Sequence, residues 1–175
     1  RQRPSAWLIA LTCGGLLAAC AGPSGKDPRG AMQPLESVDT VSVDIVQDMR
    51  YHGADNFMGR AVAGYDSARC WLSRPALLAL LAAQRTATAN GLRIKVYDCY
   101  RPQSAVDDFV RWGKDLKDQS TKPAYYPNVP KDELFKRGYI AERSGHSRAS
   151  TVDMGLQVID ADRAARVLQG KLLAG

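Results

Sequence analysis

Hydrophobic and polar positions along the chain fall into four kinds of segment. Residues Leu72 to Gly91 carry Leu77, Leu78, Leu80 and Leu81 as a broad apolar face. Ser73 stands at a capping position, Pro75 in the first turn and Asn90-Gly91 at the end, so the pattern predicts a helix over this stretch. Leu92 to Asp98 alternates β-branched or apolar with polar residues and ends in a Pro-punctuated turn, which predicts a strand. Ala105, Val106, Phe109, Val110 and Trp112 then recur at helical spacing, with Pro102 suited to the first turn of a second helix. Residues 118–133 hold Pro123, Pro127 and Pro130 beside Tyr125 and Tyr126 and read as a long loop. Val158 to Leu173 reads as an amphipathic or irregular tail. The expectation is an α+β domain, a small sheet with helices covering one side.

The amino-terminal region has a different character. Arg1 and Arg3 precede an apolar run, Ala6 to Leu17, shorter than the roughly 20 residues that span a bilayer. Leu17-Ala-Ala-Cys20 then has the form of a lipobox, which predicts a signal peptide over 1–19 and lipidation of Cys20. An ordinary secretory signal is the alternative. Ala21 after the cysteine is compatible with an outer-membrane lipoprotein facing the periplasm. Residues 20–38, rich in Gly, Pro and Ser, read as a tether, and 39–175 as one domain.

Composition changes this picture little. The formal charge is +6, and setting aside Arg1 and Arg3 removes two of those charges. No basic patch interleaved with aromatics stands out, so nucleic acid is not an expected partner. Of four cysteines, Cys13 lies within the signal and Cys20 carries the lipid. Cys70 and Cys99 remain, an even pair in an oxidising compartment, and a disulfide between them is expected. Closing that loop of roughly 30 residues would contribute about 3–4 kcal/mol. Two buried free thiols are the alternative.

The chemistry concentrates in Ser144 to Asp153, where one of only two histidines, His146, lies seven residues before Asp153. Imidazole and carboxylate are both good ligands for zinc. On one unbroken strand an odd offset sends the two side chains to opposite faces. On one helix they would stand roughly 10 Å apart along the axis. They meet most easily if a turn separates them and Thr151 to Met154 opens a strand. The plainer reading is a surface histidine and a solvated aspartate. Arg101, at the strand-to-helix junction, is placed to face a cleft, although most arginines simply lie on the surface.

Four motifs together, Met49 to Gly59, Gly64-Tyr65, Tyr97 to Val106 and Ser144 to Asp153, resemble the zinc D-alanyl-D-alanine dipeptidases of the vancomycin-resistance type. The resemblance implies the hedgehog/D,D-peptidase fold, with a small antiparallel sheet, and one zinc ion per chain. It implies that His146 and Asp153 are zinc ligands and that Arg101 steadies the transition state. Ser144 and Tyr51 fall where the family contacts the bound dipeptide. The implied activity is hydrolysis of D-Ala-D-Ala in wall-peptide turnover or glycopeptide resistance. A D,D- or L,D-carboxypeptidase on peptidoglycan stems is the enzymatic alternative. The family's third ligand and general base, in a Glu-aromatic-aromatic-His motif further downstream, have no counterpart before Gly175, and His52 does not match it. The expectation is therefore a family member lacking the carboxy-terminal part, or a degenerate one that binds wall peptides without cleaving them. Asp160 and Asp162 are the nearest substitutes in sequence, and weak metal binding is expected. Beyond Leu156 the resemblance is expected to end. Ala149 replaces a family glycine at a position that would need positive φ.

Overall fold

The computed structural model describes residues 34–173 apart from residue 43. The signal peptide, Cys20 and most of the tether therefore lie outside the described residues. The described elements run β1 (Leu35–Ser37), β2 (Val46–Gln47), β3 (Trp71–Ser73), α1 (Arg74–Ala89), β4 (Leu92–Asp98), α2 (Gln103–Lys114), the single turn α3 (Lys122–Tyr125), β5 (Asp153–Val158) and α4 (Ala161–Leu173). No described helix is long and apolar enough to cross a membrane.

Two small sheets result. β1 and β3 form an antiparallel pair, while the other sheet has the order β2-β4-β5. β4 pairs antiparallel with β5, but β2 joins it in parallel, so this sheet is mixed rather than wholly antiparallel. The domain also begins earlier than residue 39. Leu35 is in register with Ser73 and Val38 is fully buried, so the last residues assigned to the tether belong to the fold.

The alternation of β4 explains its place at the centre. Ile94 and Val96 are buried beside Leu77, Leu80 and Leu72, and α1 packs over them. Gln84 is the polar exception: its side-chain oxygen accepts the Ile94 N–H at 2.8 Å, and its amide donates to Thr88 Oγ1. Leu78, expected in the core, is 53% exposed. At 100° per residue four leucines within five positions cannot all face one sheet. α1 starts at Arg74, because Leu72 and Ser73 belong to β3. Ser73 occupies the N-cap position without a side-chain cap, and its N–H donates instead to the Ala149 carbonyl. Gly91 ends the helix at φ +74, where a Cβ would meet the Asp160 carbonyl oxygen at 2.6 Å.

A second cluster gathers on α2, with Phe109 and Trp112 among Met58, Val62, Tyr65, Tyr126, Leu134 and Ile140. The proline-rich loop wraps this cluster. Its Lys131 is buried, with Nζ 3.7 Å from the Trp112 ring centroid and donating to the Asp118 carbonyl. The stretch read as a tail completes β5 and then forms α4, where Ala164 is buried.

Candidate metal centre

The Ser-x-His segment folds as a short 3-10 turn over Gly145–Arg148. Ser144 caps it, its hydroxyl accepting the His146 N–H at 3.2 Å. Ala149 closes the turn at φ 54, ψ 29, the one non-glycine residue with positive φ among those described. Three residues outside any helix or strand follow, and β5 opens at Asp153, in register with Asp98 across the sheet. The turn and strand start are thus where the spacing of His146 and Asp153 required them.

His146 is buried. Its Nδ1 lies 2.8 Å from the Cys99 carbonyl oxygen and 3.4 Å from Asp98 Oδ2. A carbonyl can only accept, so Nδ1 carries the proton and, in the neutral ring, Nε2 presents a lone pair. That Nε2 lies 3.4 Å from Oδ1 of Asp153, whose side chain is 54% exposed. Two lone pairs face each other at this distance, so a proton or a metal cation belongs between them. The separation is close to the edge of a tetrahedron drawn with zinc–nitrogen and zinc–oxygen bonds of about 2.0–2.2 Å. The donor set therefore fits zinc.

Ligand atoms of Asp98, His146 and Asp153 all lie within 4.8 Å of one another. Asp98 nevertheless stands behind the imidazole, on its Nδ1 side, and its oxygens are already engaged. Oδ1 accepts the Tyr65 hydroxyl at 2.7 Å and the Cys99 N–H at 2.9 Å. Oδ2 accepts Arg101 Nε at 3.0 Å and Nη2 at 2.7 Å. We read it as the group that orients His146 and Arg101, leaving two groups that point outward. Among the described residues no third outward ligand and no separate base is assembled. Asp160 instead accepts the Arg163 N–H at the start of α4, and His52 directs Nδ1 to the Tyr65 carbonyl.

Arg101 is largely buried, its guanidinium 5.4 Å from the Tyr51 ring centroid and 4.9 Å from that of Phe109. Burial works against its charge, but Asp98 outweighs burial and holds its pKa above the usual value. No hydrogen bond among the described residues uses its Nη1. Burial pushes the Tyr51 phenol up to about 12; Arg101 opposes the shift, and Asp98 and Asp153 add to it. Tyr51 is thus a protonated donor within the field of both aspartates. Burial, then Asp98, push Tyr65 higher still, which keeps it a donor to that carboxylate.

Sequence reasoning named His146, Asp153, Arg101, Ser144 and Tyr51, and the structure brings His146, Asp153 and Arg101 together around Asp98. It missed Asp98, Tyr65 and the Cys99 carbonyl. Asp98 and Tyr65 stood inside the quoted motifs, and an acid three residues before Arg101 was the available signal. Cys70 and Cys99 are disulfide-bonded directly behind this centre, with Cα atoms 5.2 Å apart.

The family model described as D-ala-D-ala dipeptidase matches residues 32–165, past the point where the resemblance was expected to end. The D-alanyl-D-alanine dipeptidase of Enterococcus faecalis is 44% identical over 113 residues, covering 65% of this chain and 56% of the relative. That of Streptomyces coelicolor is 44% identical over 119 residues, 68% of this chain and 59% of its own. That of Escherichia coli is 40% identical over 123 residues, 70% and 53% respectively. The chain thus spans a little over half the length of these relatives. With most of its length inside the family match and the motif residues converging on one centre, this chain belongs to the D-ala-D-ala dipeptidase family of peptidases.

Proposed function

We propose that the protein is a zinc-dependent dipeptidase hydrolysing D-Ala-D-Ala, in cell-wall peptide turnover or glycopeptide resistance. The carrying observation is the pairing of His146 Nε2 with Asp153 at 3.4 Å, its tautomer set by the Cys99 carbonyl. His146 and Asp153 would hold one zinc ion. Bound there, zinc supplies a Lewis acid and a water of lowered pKa. Arg101, fixed on one edge by Asp98, keeps Nη1 for an oxyanion developing at the scissile carbonyl, where a preorganised donor counts most. Ser144 and Tyr51 line the approach and contact the dipeptide. Lipidation at Cys20 would anchor the protein to the outer membrane, facing the periplasm.

One observation favours a second reading, a wall-peptide-binding protein without turnover: neither a third ligand nor a base is assembled among the described residues. Zinc stoichiometry and hydrolysis of D-Ala-D-Ala, beside His146→Ala, separate the two. Zinc at no more than one per chain, held weakly by the two ligands, with any turnover lost in the variant, is expected. Peptide binding without turnover establishes the second reading, and cleavage of a stem-peptide mimic alone points to a carboxypeptidase.

A further inference from the structure

Between α2 and the proline-rich loop lies a cavity of about 220 Å³, lined by none of the residues assigned to zinc or the dipeptide. Trp112, Tyr126, Leu134 and Ile140 are buried and form its floor, while Tyr125 and Tyr139 are 44% and 65% exposed at its mouth. The walls are fixed by their own contacts. Trp112 Nε1 donates to Asp118 Oδ2 at 2.8 Å, the Lys131 ammonium covers one face of the indole, and Phe57 and Tyr126 meet that indole edge-on. The Tyr125 hydroxyl donates to Asp55 at 2.8 Å, which holds one side of the mouth. One polar atom of the floor is left over. The Tyr126 hydroxyl is buried and makes no hydrogen bond among the described residues, and the Thr121 hydroxyl near it gives its proton to the Phe57 carbonyl. Protein interiors leave few such groups, and a buried donor beside a cavity asks for an acceptor.

We propose that this cavity binds an N-acetylated amino sugar, its acetyl methyl against Trp112, Leu134 and Ile140, its amide carbonyl accepting the Tyr126 hydroxyl, and its ring stacked on Tyr139. The volume falls below the roughly 300–1,000 Å³ of sites for larger ligands and suits a single ring with one substituent. An apolar floor rejects a plain sugar, whose hydroxyls would be buried without partners. An acetamido group instead brings a methyl for the floor and a carbonyl for the phenol. A hydrocarbon side chain would fill the same space but leave that phenol unpaired. Tyrosine at the mouth suits a sugar ring, because its face takes ring C–H groups while its hydroxyl stays wet. The site goes beyond the dipeptidase reading and needs neither zinc nor turnover.

The test titrates the full chain with N-acetylglucosamine, glucosamine and N-acetylphenylalaninamide, read by saturation-transfer NMR. Millimolar affinity is expected for the acetylated sugar, with the strongest transfer at its acetyl methyl and none to glucosamine. Tyr126→Phe should weaken the sugar roughly tenfold. Because that variant removes an unpaired hydroxyl, its melting temperature should be unchanged or higher. Tyr139→Ala, at an exposed position, should weaken binding by roughly three- to tenfold. His146→Ala should bind the sugar as the parent does. The proposal is overturned if the acetyl methyl shows no transfer, if glucosamine binds as tightly, or if Tyr126→Phe keeps the parent affinity. A lower melting temperature in Tyr126→Phe overturns it as well, since the hydroxyl would then already be paired. Tighter binding of N-acetylphenylalaninamide than of the sugar would make the cavity an anchor for a peptide side chain, against the proposal. Loss of sugar binding in His146→Ala would move the sugar to the metal centre and also overturn it. None of these readouts involves the dipeptide. A chain that binds the acetylated sugar but leaves D-Ala-D-Ala intact would therefore defeat the functional reading alone.

Discussion

Asp98 and Arg101 form a buried pair in which one carboxylate oxygen takes two hydrogen bonds, from Nε at 3.0 Å and Nη2 at 2.7 Å. The carboxylate side chain is 1% exposed. Removing one member of such a pair strands the other charge away from water, which costs about 3 kcal/mol or more. Asp98→Asn is expected to lose stability on that scale in urea unfolding. Tyr65→Phe removes a single bond to the same carboxylate and is expected to cost about 1 kcal/mol. A Tyr65→Phe cost equal to that of Asp98→Asn would contradict this ranking.

Arg101→Lys keeps a positive charge but loses the planar fork that binds Asp98 and presents Nη1 together. On the proposed activity, turnover of D-Ala-D-Ala is expected to fall by roughly 100-fold, with zinc stoichiometry unchanged. Steady-state kinetics should place the loss in kcat. A loss confined to KM would assign Arg101 to ground-state binding instead.

Ala149 sits at φ 54 with its side chain buried at the end of the His146 turn. A left-handed conformation costs an L-residue with a Cβ roughly 1–2 kcal/mol, partly offset by the greater chain entropy glycine loses on folding. Ala149→Gly is therefore expected to stabilise by about 0.5–1 kcal/mol, and Ala149→Val to destabilise by more. Thermal unfolding of both variants checks the sign.

Asp108 on α2 accepts Arg60 at 2.8 and 3.0 Å, the Ala63 N–H at 3.2 Å and Arg111 at 3.0 Å. The Arg60 hydrogen bonds, working against burial, hold its pKa down to about 2. A pKa depressed in the fold gives stability that is present above the unfolded value near 3.8 and lost as pH falls toward 2. Both arginines are at least half exposed, so solvent screening trims the contribution to about 1–2 kcal/mol at neutral pH. Asp108→Asn should lose that amount at pH 7, and the gap to the parent should close between about pH 5 and pH 2 in urea titrations.

Sequence alone determined the elements whose patterning is local. α1, β4 and α2 were legible because sixteen, seven and twelve residues are long enough for periodicity and end signals to register. The offset between His146 and Asp153 dictated a turn followed by a strand, because no single helix or strand brings them together. The resemblance, which puts a glycine at position 149, pointed to positive φ there, and Ala149 has φ 54. β1 and β2, with three and two residues, show no alternation; only their pairing partners make them strands. Leu78 needed the position of the sheet to be placed outside the core. The carbonyl of Cys99, 47 residues from the imidazole it orients, has no side-chain identity for a sequence to display. Residue types determine which groups can bind a proton or a metal. Which lone pair faces outward depends on backbone atoms brought together across the fold, and that was decided only by tertiary structure.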